Sequence, residues 1–191
     1  QVSINMQLTG PCTTITTFER TVAGVFDTAR LWFERDLADA VLVGVGENYS
    51  PVVGYAITRN ATEWPSAIRP FDFETCTYLP GEGFAAFVVG KPGAEARFGR
   101  LGPAEVFGLD DEIPDSDDRA VFLAACGDRS QSGAWRRCLA PGIPTTAHAP
   151  LIGSMPTGLA FEASFAALAA ADRVARPAPC EHASAQVDEW R

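Results

Sequence analysis

Between residues 19 and 45 a helical apolar stripe runs straight into a short, unbroken apolar run, and this junction limits the available folds more than any other feature. Val22, Val25, Phe26, Ala29 and Phe33 recur at steps of three and four, with Leu37 just beyond. That spacing predicts a helix over residues 19–36 with a buried face. Leu31 and Trp32 widen the stripe, so burial on more than one side is expected. Residues 40–45 read Ala-Val-Leu-Val-Gly-Val between Asp39 and Gly46, the pattern of a strand covered on both faces. A helix leading into such a strand calls for helices layered on a sheet, an α/β fold.

The rest of the chain repeats the pattern more weakly. Residues 1–8 alternate well enough for a strand, and residues 84–89 follow Gly81 and Gly83 as another. Pro51, Asn60 and Pro65 mark loops between residues 48 and 69. A segment rich in Pro, Gly and acids, residues 91–118, separates the halves, with a strand expected over 104–109. Residues 120–125 read as a buried strand and 130–138 as a short helix. Over residues 158–173, Leu159, Phe161, Phe165, Leu168 and Ala169 form a helical stripe. Pro177 and Pro179 suit an extended connection over residues 175–191, its closing strand expected beyond Arg191. One compact unit is expected, with halves at 1–90 and 119–191 joined by the 91–118 linker.

Composition removes several function classes. The 191 residues carry 15 Lys and Arg against 24 Asp and Glu, a net charge of −9. With no basic stripe, nucleic-acid binding is disfavoured. Apolar runs such as 40–45 and 165–171 are too short to cross a bilayer, and no signal peptide is expected. The strand-like start at Gln1 predicts a native polypeptide that begins further upstream. Five cysteines (Cys12, Cys76, Cys126, Cys138 and Cys180) form no CxxC pair, which fits reduced thiols in the cytoplasm.

The polar residues offer few ready-made sites. Ser154 in Gly153-Ser154-Met155 lacks a nucleophile elbow. Cys180-Glu181-His182 lacks the other ligands of a zinc site. His148, before Ala149-Pro150, reads as a strand-end residue with a backbone partner. Glu19, Glu47, Glu82 and Glu162 are the acids that a glycosidase-style pair would draw on, but nothing in the sequence brings them together. No metal or cofactor is expected.

Four stretches carry a family resemblance. Gly10-Pro11, Thr16-Thr17-Phe18-Glu19, the helix, then Ala38-Asp39 and an apolar strand to Glu47 form the first. The second is Arg69-Pro70-Phe71-Asp72 followed by Gly81-Glu82-Gly83-Phe84 and its strand. The third is Ala124-Ala125-Cys126-Gly127-Asp128, and the fourth spans residues 145–173, with Ala160-Phe161-Glu162 within it. Their order resembles β-ketoacyl synthases, in which these stretches read Thr-Ala-Cys, Gly-Glu-Gly-Ala, Asn-Ala-His-Gly-Thr and a Lys, Gly-His, Ala-Val-Glu series. The resemblance implies a thiolase-like layered α-β-α fold, shortened relative to a full ketosynthase.

At each catalytic position this chain departs from that pattern. Glu19 stands in place of the nucleophilic cysteine, Cys126 in place of the first histidine, His148 in place of the lysine and Gly153 in place of the second histidine. Claisen condensation needs a thiolate at a helix N-terminus and imidazoles that stabilise the enolate. A carboxylate at the helix end is an N-terminal charge instead. The resemblance therefore implies a chain length factor, including the aryl-polyene type: a non-catalytic subunit of a polyketide, polyene or fatty-acid-type ketosynthase complex. Its implied partners are a catalytic β-ketoacyl synthase, in a heterodimer, and an acyl carrier protein that docks mainly on that catalytic subunit. The alternatives are a malonyl-carrier-protein decarboxylase and an acyl-binding module without a fixed partner. An ionised glutamate cannot donate to an enolate as glutamine does, which weighs against the first. Phe18, beside the old nucleophile, is a candidate pocket gate. Phe26, Trp32, Phe33, Phe84 and Phe87 are read as core. Residues 1–8 are the expected interface strand, with self-association expected when the chain stands alone.

Overall fold

The computed structural model describes residues 2–17, 20–59, 64–105, 107, 120–139, 143–174, 178 and 184–185. Phe18, Glu19, Cys180, Glu181 and His182 lie outside the described residues. Where a strand was expected over residues 1–8, the chain makes one helical turn, α1 (Val2–Asn5), and Gln7 then turns through φ 53. Ile4, Met6 and Leu8 stay exposed. Among the described residues no strand pairs with this stretch, and the Gln7 N–H donates locally to the Ile4 carbonyl.

The stripe forms α2 (Thr21–Glu34). The main-chain N–H of Thr17 donates to Thr21 Oγ1 at its start. At its end the Leu37 N–H reaches the Trp32 carbonyl and the Asp36 N–H reaches that of Phe33, with Asp36 at φ 58. This is the left-handed stop of a Schellman motif, and the Asp36 carboxylate pairs with Lys91. The lysine's hydrogen bond and charge hold the Asp36 carboxyl below the usual range, and Asp36 in turn raises the Lys91 ammonium.

Strand β1 (Ala40–Glu47) follows, then α3 (Pro51–Thr58) and β2 (Gly83–Gly90). Pro51, expected to mark a loop, starts a helix because the first helical position has no N–H to lose. β1 and β2 pair antiparallel from Ala40↔Gly90 to Glu47↔Gly83. Val41, Val43 and Val45 face α2, packing with Val22, Ala29 and Phe33. The expectation of two covered faces fails here: outward residues alternate strictly with inward ones along β1, and Leu42 is 49% exposed. Phe84 is likewise no core residue, whereas Phe26 meets Phe87 edge-on at 5.2 Å on the inner side.

The second half is built on β3 (Val121–Phe122), a 3-10 turn (Arg129–Gln131), α4 (Ser132–Arg137), β4 (Thr145–Thr146), α5 (Ala149–Ile152), α6 (Gly158–Asp172) and β5 (Ser184–Ala185). β3 runs parallel to β4, and β5 pairs antiparallel on the other side. The strand expected over 120–125 is cut to two residues, although Leu123 and Ala125 remain buried. The described residues of 104–109 form no strand. Within the tail, Ser184–Ala185 form the short strand β5. The α6 stripe also differs: Ala160 and Glu162 are buried while Leu159 and Leu168 are exposed. In so alanine-rich a helix, small side chains let the closest approach decide which side is covered.

The architecture is thus mixed α/β, with a two-stranded and a three-stranded sheet among the described residues. α6 packs against both β2 and β3. Among the described residues no helix is long and apolar enough to cross a membrane.

The halves also cross at a pair of glycines. Pro80 bridges Ser154, and a Cβ added to Gly81 or Gly153 would overlap the other's main chain. Gly153 sits at φ 89, ψ 166, a region open essentially to glycine alone. Gly153→Ala is expected to lower stability by about 2 kcal/mol or more through strain and overlap. Equilibrium urea unfolding measures it, and a loss below about 0.5 kcal/mol contradicts this crossing.

Candidate functional site

Alanine-rich α6 carries one acid before its last residue, and that acid, Glu162, is only 2% exposed. A carboxylate so deep must be matched by donors. His148 supplies two. Its main-chain N–H donates to Oε1 at 2.5 Å, and its ring Nδ1 lies 2.8 Å from Oε2. His148 leaves β4 and caps the first turn of α5, so strand, turn and helix α6 are tied together at one residue.

The imidazole is 4% exposed and lies between two rings. Phe165 stacks on it at 4.0 Å between centroids, and Phe122 is at 6.0 Å and nearly parallel. The expectation of a strand-end residue with a backbone partner is corrected: His148 lies two residues past β4 at the N-cap position of α5, and its partner is a carboxylate. The sequence shows a lone acid within an apolar helix, but nothing local in it names His148, fourteen residues earlier, as the partner.

A second node lies one turn further on. The Ser154 hydroxyl donates to the Cys126 carbonyl at 2.6 Å and accepts from the Leu79 N–H at 3.1 Å. The Thr77 N–H donates to the Gly127 carbonyl at 2.9 Å. Residues 77–81, 126–127 and 153–154 therefore form one packed crossing. It brings Gly81 against Gly153 and Cys126 against Ser154, with His148 at the far end of α5. Ser154, unsuited to a nucleophile elbow, serves as a buried strut between segments. Cys126 is 7% exposed. Of the four positions singled out, Cys126, His148 and Gly153 fall in this region, and Glu19 lies outside the described residues, as does the gate candidate Phe18.

Glu47 and Glu82 are engaged by separate donors. Glu47 Oε2 accepts from Thr157 Oγ1 at 3.2 Å, and Glu82 Oε2 accepts from the Tyr49 N–H at 3.3 Å. Glu47 also lines a small cleft with Tyr49, Tyr78, Pro80, Gly81, Ser154 and Pro156 among others. Its volume of about 10 Å³ admits a single water, too little for an acyl chain. Among the described residues no group of three or more His, Cys, Asp or Glu is placed to hold a metal ion.

In the Arg69-Pro70-Phe71-Asp72 stretch, Asp72 closes a turn. Its Oδ2 accepts from Thr75 Oγ1 at 2.6 Å, and its Oδ1 accepts the N–H groups of Glu74 and Thr75. The Thr75 hydroxyl chiefly, with those N–H groups and Arg69 at 3.3 Å, holds the carboxyl below its usual range against a smaller push from burial.

Comparison of the chain with protein-family models, curated proteins and solved structures finds no match.

Two measurements test these assignments. Removing one partner of a buried pair leaves the other's groups without a match, so Glu162→Leu is expected to cost about 3–5 kcal/mol. His148→Lys, which keeps the main-chain N–H and offers a side-chain donor, is expected to cost well under half of that. A double-mutant cycle in urea reads the coupling, and additive losses would rule the pair out. For Asp72, a depressed folded-state value means its stabilisation is full above the unfolded value of about 3.9 and is lost as pH falls through the folded one. Asp72→Asn should therefore flatten the fall in the urea midpoint below about pH 4 and leave the slope from pH 6 to 7 unchanged.

Proposed function

We propose that this chain is a non-condensing, ketosynthase-like subunit of the chain-length-factor type, which pairs with an active β-ketoacyl synthase and helps shape the path of the growing acyl chain. The observation that carries this reading is the His148–Glu162 contact. The ketosynthase resemblance aligns these two with the lysine and with the glutamate of Ala-Val-Glu, and the two side chains meet at 2.8 Å. A second observation supports it: the strands of the first two resembling stretches, β1 and β2, are direct neighbours over their full length.

The chemistry of the cluster favours a non-catalytic role. The His148 ring is enclosed by Phe122 and Phe165 and held by Glu162. An imidazole so placed fixes the turn and is shut off from a substrate. Gly153 offers no side chain, and the Cys126 backbone is committed to Ser154. What remains of the four positions is a scaffold, and condensation falls to the partner's cysteine. The heterodimer, its thiolase-like α-β-α layering and the carrier protein's docking on the catalytic subunit belong to the same proposal.

The test is co-expression with an active ketosynthase that retains Thr-Ala-Cys, followed by incubation with malonyl-carrier protein. A one-to-one complex whose product length changes when this chain is omitted is the expected result. The chain alone should release no carbon dioxide. Release by the chain alone would favour the decarboxylase reading, and binding of acyl-carrier protein without any ketosynthase complex would favour an acyl-binding module.

A further inference from the structure

We propose that the outward face of the β1–β2 ladder is a docking surface for one apolar-striped helix of a partner polypeptide. The inner face is closed by α2, so the face in question is the one still open to a second layer. Its pairs are Leu42 opposite Val88, Gly44 opposite Ala86 and Gly46 opposite Phe84. None carries a charge or a hydrogen-bonding side chain. Leu42 is 49%, Phe84 69% and Val88 80% exposed. A continuous apolar face of this kind on a chain with net charge −9 marks an interaction surface.

The relief of the face narrows the occupant. The Phe84 ring lies across the neighbouring strand: a Cβ on Gly44 would fall 2.7 Å from its Cζ, and one on Gly46 2.6 Å from its Cδ2. The two glycines thus let the ring lie flat and close one end of the face. Leu42 and Val88 stand as a ridge at the other end, leaving a low saddle at Ala86, because the Phe84 ring covers Gly44 as well as Gly46. A row of large apolar side chains on a helix fits such a saddle.

Dimensions decide between a helix and a second copy. Eight residues at ~3.4 Å each make the face about 27 Å long, and two strands make it about 10 Å wide. Those ~270 Å² fall well short of the ~800 Å² per partner that a stable dimer buries. They match one helix, 10–12 Å in diameter, of about 18 residues. A second copy would also bring its own charge of −9. Nothing in this surface requires the partner to be a ketosynthase.

The experiment titrates the full chain with a fluorescent 18-residue peptide of Leu, Gln and Ala, its leucines at helical three- and four-residue spacing. A control peptide of the same composition alternates Leu and Gln. The helical peptide is expected to bind, gain helicity by circular dichroism and slow amide exchange in residues 40–47 and 83–90. Leu42→Gln with Val88→Gln should weaken binding at least tenfold with the melting temperature nearly unchanged. Leu151→Gln with Leu168→Gln, exposed elsewhere, should leave it unchanged. No binding to the unaltered chain, equal binding by both peptides, or equal binding by the Leu42/Val88 variant would overturn the proposal. So would a dimer in sedimentation that the Leu42/Val88 substitutions abolish, since a second copy would then be the occupant.

Discussion

The buried carboxylate of Glu162 is the constraint around which the second half of the chain is arranged. A group 2% exposed has no water to lean on, so the fold must bring donors to both of its oxygens. It does so with one residue, whose main-chain N–H and ring both point the same way. Because His148 lies in the turn between β4 and α5 and Glu162 belongs to α6, the bond fixes the helix against that turn. The stacking of Phe165, one turn after Glu162 on α6, and of Phe122 from β3 then follows from where the imidazole must sit.

From that anchor α6 reaches the first half. Ala160, two residues before Glu162, is fully buried in the cluster of α2 and the β1–β2 ladder. The second apolar cluster gathers Leu123, Ala125, Trp135 and Ala147. The link between the two is reinforced at the Gly81–Gly153 crossing and by the Ser154 hydroxyl. Small residues make these joints because backbone meets backbone there. Charge–charge contacts elsewhere, such as Arg30 with Glu34 on α2, are exposed and contribute little.

Periodicity made part of this legible in the sequence. The three- and four-residue spacing from Val22 to Phe33 located α2, and the run from Ala40 to Val45 located β1, because each pattern records a single buried side or segment. The covering of that strand was misread. Val, Leu and Gly in an unbroken run look the same whether the outer face meets a layer or stands open, and only the partner layer distinguishes them. Residues 1–8 failed for a related reason: alternation specifies a strand only where a neighbour supplies the ladder. In the site, Cys126, His148 and Gly153 were marked by alignment to a motif. The Glu162 contact, the aromatic sandwich and the Ser154 strut depend on segments up to 75 residues apart meeting in space, which no local pattern encodes.

On the ketosynthase-like reading, the loss of catalysis is written into the backbone as well as into side chains. The position aligned with the second histidine is Gly153, and its main chain lies against that of Gly81 with no room for a Cβ. Its φ of 89 and ψ of 166 are closed to histidine on conformational grounds as well. Restoring an imidazole there would force the two halves apart at their crossing. A cysteine placed at position 19 would therefore still lack that imidazole as an enolate-stabilising donor. On that reading, a condensing site would require the crossing itself to be rebuilt.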